Sequence, residues 1–105
     1  MDSQLELLEK AVEIIKDTVQ PKKIFLFGST VSGKANDHSD FDLLIVIENH
    51  QHRRKTAQKI YENLVGFGHA VDLVVVTEAD VLKHRENTNL IIHTALTEGR
   101  QLYAA

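Results

Sequence analysis

The chain is predicted to fold as an α/β (α+β) layer, a small mixed β-sheet flanked by helices. Three observations carry that expectation. Residues 24–27 and 41–47 are apolar almost without interruption, as strands covered on both faces are. Residues 70–76 form a third such run, broken only by Asp72. Around these runs lie segments whose apolar residues recur at spacings of three and four, the helical period. Their order, αβαβαβα, indicates helices packed on one sheet.

Each element has a local reason. Ser3 and Glu6 have capping-box spacing and start the first helix. Leu5, Leu8, Val12, Ile15 and Val19 give it an apolar stripe, widened by Leu7, Ala11 and Ile14. Pro21 ends it. The strand over residues 24–27 runs into a turn at 28–33 that leads to a very short helix, and residues 34–39 read as a polar loop. After the second strand, residues 50–64 read as a helix with Arg53, Arg54, Lys55 and Lys59 outside and Ala57, Ile60, Tyr61 and Leu64 inside. Gly66 and Gly68 break it. Thr77 can cap a further helix with Asp80 in the N3 place. A last helix spans residues 90–97 and stops at Gly99; Leu102 and Tyr103 either add a short edge strand or cover the core.

Composition narrows the function. A chain of 105 residues with 43 % apolar content holds one core, so a single domain over 1–105 is expected. No run is long and apolar enough for a membrane span, and the polar start does not fit a signal peptide. With no cysteine, disulfides, thiolate zinc sites and thiol catalysis are excluded. A cytoplasmic location is the expectation. Net charge is −3, whereas domains that hold nucleic acid electrostatically are usually basic, so nucleic acid is not the expected direct partner.

The chemistry-bearing residues lie in two places. Asp40 and Asp42 stand at i and i+2, so a strand projects both on one face, roughly 6.5–7 Å apart at the backbone. Two carboxylates that close repel, and a hard divalent cation such as Mg²⁺ relieves them. An isolated Asp-x-Asp is equally a pair of solvated loop residues. Gly28-Ser29, following a buried strand, adds a second signal: glycine permits close backbone approach, turn N–H groups bind phosphate, and the Ser29 hydroxyl can donate to the same oxygens. Lys34 offers a point charge. Asp72 interrupts an apolar strand, a placement that suits a metal ligand or general base as well as a strand edge.

The joint pattern Gly28-Ser29, Gly33, Ser39-Asp40-Phe41-Asp42-Leu43, with Asp72 on a later strand, resembles the polymerase-β-type nucleotidyltransferase superfamily, and within it the minimal nucleotidyltransferases. The resemblance runs through nearly the whole chain. It implies that Gly28 and Ser29 hold the triphosphate of ATP; Gly33 of the motif and the point charge of Lys34 complete the candidate nucleotide-binding set. It implies that Asp40, Asp42 and Asp72 bind Mg²⁺, with two ions expected, and that Asp72 helps activate the acceptor hydroxyl. The implied reaction is in-line attack on the α-phosphorus with loss of pyrophosphate. Minimal relatives commonly pair as antitoxins with a small helical HEPN-type toxin and transfer AMP to one of its tyrosines. A homo- or hetero-oligomer is compatible with so small a chain. One departure stands out: relatives often carry arginine in the turn, and Gly28-Ser29-Thr30-Val31-Ser32-Gly33 has none, which removes a bidentate phosphate contact. That departure motivates an alternative, a catalytically weak or inactive module that neutralises its partner by binding.

The histidines carry less. His50 and His52 read as solvated residues at a helix entry, and His69, His84 and His93 show no partners in the sequence. The Arg53-Arg54-Lys55 run reads as a solvated helix face or, alternatively, a dock for an acidic partner.

Overall fold

The computed structural model describes residues 3–28 and 40–105. Their elements run α1 (Ser3–Val19), β1 (Lys23–Phe27), β2 (Phe41–Ile47), α2 (Arg53–Asn63), β3 (Val71–Thr77), α3 (Glu78–His84), α4 (Ile91–Glu98) and β4 (Arg100–Ala104). The expected short helix after residue 28 lies outside the described residues, as do Ser29, Gly33 and Lys34. The four strands form one mixed sheet in the order β3-β2-β1-β4. β1 is antiparallel to both β2 and β4, and β2 is parallel to β3. Of the two roles open to Leu102 and Tyr103, the edge strand is the one realised.

Alternation along the strands sorts the side chains between two cores. Odd-numbered β2 residues, Phe41, Leu43, Ile45 and Ile47, pack with Ile24 and Leu26 under α1 and α2 through Leu8, Ile15, Val19, Ile60 and Leu64. Even-numbered Leu44 and Val46 join Phe25, Phe27 and Val76 against Ile92 and Ala95 of α4. Covering both faces explains why the central strands read as continuous apolar runs. β3 is an edge strand and is only half buried along most of its length. In α1 the predicted stripe holds at Leu8, Ala11, Ile15 and Val19, while Leu5 is exposed and lines a groove between α1 and β4. The helix ends where Gln20 takes a φ of 51° before buried Pro21, a left-handed stop followed by a residue that cannot continue the ladder.

The Thr77 cap forms as expected. Thr77 Oγ1 accepts from Asp80 N at 3.1 Å, and the Asp80 carboxylate accepts from Thr77 N at 3.0 Å. Arg53 Nη1 lies 3.3 Å from the same carboxylate and ties the start of α2 to the start of α3. The Thr77 backbone bond, the Thr77 hydroxyl and then Arg53 hold the Asp80 carboxyl below its ordinary range, against a smaller desolvation effect. Because the folded pKa is depressed, this stabilisation is present above the unfolded value and is lost as pH falls through the folded one. Thr77→Ala should cost about 1 kcal/mol. Denaturant melts should show that loss at pH 7 and most of it still at pH 3, because the backbone N–H of residue 77 continues to donate to Asp80. The loss in Asp80→Asn should shrink at pH 3, and an Asp80→Asn loss equal at both would mean the carboxylate takes no part.

Candidate active site

The parallel register brings two of the three aspartates side by side: Asp42 on β2 faces Asp72 on β3. Both are even-numbered, so both project on the α4 side of the sheet, at the amino-terminal ends of their strands. Asp40, just before β2, hydrogen-bonds through its side chain to Asp72. The expected convergence across neighbouring strands is therefore present. Asp72 is exposed at the start of an edge strand, so the sheet bears no fully buried carboxylate there.

Burial pushes the Asp42 carboxyl above its ordinary range, and the charges of Asp72 and then Asp40 push it further. Asp72 is raised too, by desolvation first, then by the Asp40 hydrogen bond and the Asp40 charge. Carboxylates this close repel as anions, and a cation is one way to hold them together. The donors are all oxygens, which fits a hard ion such as Mg²⁺, and Mg²⁺ needs only one or two protein carboxylates beside substrate phosphates. Among the described residues no group of three or more His, Cys, Asp or Glu is placed to hold a metal ion by itself. The set fits an ion that arrives with its phosphate oxygens rather than one caged by protein alone.

Gly28 adjoins this cluster. It follows Phe27, the β1 partner of Asp42, and has a φ of +83°. A Cβ built there would collide with the Asp42 carboxylate oxygen and lie 3.2 Å from its Cγ. Glycine is thus required twice, by the backbone and by the carboxylate beside it.

One neighbour of the cluster could not be read from local pattern. His69 stacks on Phe41 with ring centroids 4.1 Å apart and an interplanar angle of 27°. Phe41 N donates to Ala70 O at 3.0 Å. The segment entering β3 thus grips the aromatic residue between Asp40 and Asp42 by both ring and backbone. The only sequence signal was a large aromatic side chain between two acids, which needs a cover. Aromatic pairs of this kind contribute about 0.5–1.5 kcal/mol, so His69→Ala should lower the melting temperature by a few degrees while His69→Phe retains it. Equal losses in the two variants would assign the effect to something other than the stack. On the outer edge of β3, Tyr61 Oη accepts from Leu73 N at 2.9 Å, next to Asp72.

Comparisons with known proteins agree with this fold. The sequence pattern described as nucleotidyltransferase domain matches residues 8–96. No curated protein matches the sequence at a significant level. A Sulfolobus solfataricus protein described as a nucleotidyltransferase superposes with a TM-score of 0.66 at 17% identity, covering 95% of this chain and 79% of its own. A chain of a toxin–antitoxin complex with AMP-PNP gives 0.63 at 24% identity, covering 92% of this chain and 73% of its own. A chain from the Shewanella oneidensis complex of a tri-AMPylated HEPN toxin with the MNT antitoxin gives 0.60 at 22% identity, covering 97% and 73%. At these identities the likeness is one of fold.

Proposed function

The chain belongs to the nucleotidyltransferase domain family, and from that premise we propose that it transfers AMP from ATP to a hydroxyl, a tyrosine side chain, of a HEPN-type partner toxin and so acts as its antitoxin. The observation that carries this reading is the aspartate cluster: Asp42 in register with Asp72, Asp40 bonded to Asp72, and Gly28 against Asp42. The shared fold with chains of toxin–antitoxin complexes, one with AMP-PNP and one holding a tri-AMPylated toxin, supports the choice of nucleotide and partner.

In the proposed step the acceptor oxygen bonds to the α-phosphorus, the bond from that phosphorus to the bridging oxygen breaks, and pyrophosphate leaves. Asp72 takes the hydroxyl proton. Asp40 and Asp42 orient the reacting phosphate from the β2 side. Mg²⁺, when bound to these carboxylates, supplies positive charge opposite the phosphate oxygens. Gly28 leaves room for the backbone to approach the nucleotide, and Ser29, Gly33 and Lys34 are assigned to the triphosphate.

The experiment is incubation with labelled ATP, Mg²⁺ and the product of the neighbouring gene. Wild type should label that protein, and Asp40→Asn with Asp42→Asn should not. Equal labelling by both removes the catalytic reading. A double variant that still binds and silences the partner favours neutralisation by binding alone.

A further inference from the structure

The second notable surface lies at the other end of the sheet. The aspartates sit at the amino-terminal ends of β2 and β3, whereas α2 begins beyond the carboxyl end of β2. The five steps from Asp42 to Ile47 separate the two by roughly 16 Å. Residues 52–55 and 59, the sequence His-Arg-Arg-Lys and then Lys, are all exposed, and the first turn of α2 has no acidic residue. Positive charge at a helix amino terminus opposes the helix dipole. Arg53 is matched by Asp80 at 3.3 Å. Among the described residues Arg54, Lys55 and Lys59 form no ion pair. A cleft runs along each side of the helix, one past Arg53, Arg54 and Asp80, the other past Lys55, Lys59 and Asp17, so that each holds one acid against two cations. This concentration of positive charge stands on a chain whose net charge is −3.

We propose that this face of α2 is a docking surface for an acidic helical surface of the partner protein, separate from the catalytic end. The identity of the partner rests on the preceding functional reading; the chemistry of the surface does not. Charge complementarity selects the occupant, since uncompensated cations beside open clefts suit carboxylates presented in a row. Nucleic acid fits less well. Neither cleft is lined by a Phe, Tyr or Trp on which a base could stack, and the other end of the sheet is acidic. Docking at one end would leave the aspartates free to reach an acceptor group at the other.

The test is titration calorimetry of the full chain with the product of the neighbouring gene, at 50 and 300 mM salt. The charge-reversed variant carries R54E, K55E and K59E; Arg53 is kept because it ties α2 to α3. Wild-type affinity should fall at least about tenfold at the higher salt, because exposed charge pairs are screened. At 50 mM salt the reversed variant should bind at least tenfold more weakly. Its melting temperature should be no lower than wild type, since glutamate in the first turn of α2 suits the helix dipole; if it is lower, the neutralising pair R54A and K59A takes its place, with an expected loss of at least threefold. During labelling, the KM for the partner should rise while kcat holds. Unchanged affinity in a folded variant overturns the docking proposal and leaves the catalytic reading standing. Binding that depends on the patch, without any labelling, does the reverse. Wild type that ignores the protein, whether or not it binds a 20-nucleotide single-stranded RNA through these residues, overturns the proposal.

Discussion

Asp42→Asn is expected to lower the proposed AMP transfer by about 10²–10⁴-fold, the range for removing a positioned acid–base or charge-bearing group. The same variant should be more stable than wild type in metal-free buffer at neutral pH. The sign follows from the shift. Burial and then Asp72 and Asp40 raise the folded pKa of Asp42, so the folded chain binds its proton more tightly than the unfolded chain. Any stability gained from that proton is present at acid pH and is lost as pH rises through the folded value. At neutrality only repulsion remains, and asparagine removes it. Like charges on neighbouring strands destabilise by a few tenths to about 1 kcal/mol. For a domain of this size that corresponds to a rise in melting temperature of about 2–6 °C. Mg²⁺ with ATP should raise the wild-type melting temperature by mass action and leave the variant nearly unmoved. Reduced transfer together with reduced metal-free stability would mean that Asp42 serves the fold rather than the nucleotide.

The elements were legible because local chemistry and tertiary context agree. β2 is apolar on both faces because α1 and α2 cover one side and α4 the other. The Thr77–Asp80 box could be read from spacing alone, since both partners lie within one turn. The Asp40–Asp42 pair was legible as a local repeat. Its union with Asp72 depends on β2 and β3 pairing in parallel with residue 42 opposite residue 72, a register that no local signal fixes. His69 escaped for the same reason: its partner Phe41 lies 28 positions away, and a half-exposed histidine carries no sign of what it stacks on. Leu5 was placed in the α1 stripe by periodicity, but periodicity cannot tell where a helix overhangs its sheet.

Gly28→Ala should combine two separable penalties. Alanine at a φ of +83° is disfavoured by about 1–2 kcal/mol. The new methyl group would also meet the Asp42 carboxylate, whose Cγ lies 3.2 Å from the Cβ position, so the side chain would have to swing away. A catalytic group displaced by about 1 Å costs on the order of 10²-fold in rate, and transfer should drop by about that much. The two penalties separate in an Asp42→Ala background. There the collision is gone and only the backbone penalty remains, so Gly28→Ala should destabilise less than it does in wild type. The difference between the two losses measures the contact. Equal losses in both backgrounds would show that Asp42 does not rest against Gly28, and the glycine would then be explained by its turn alone.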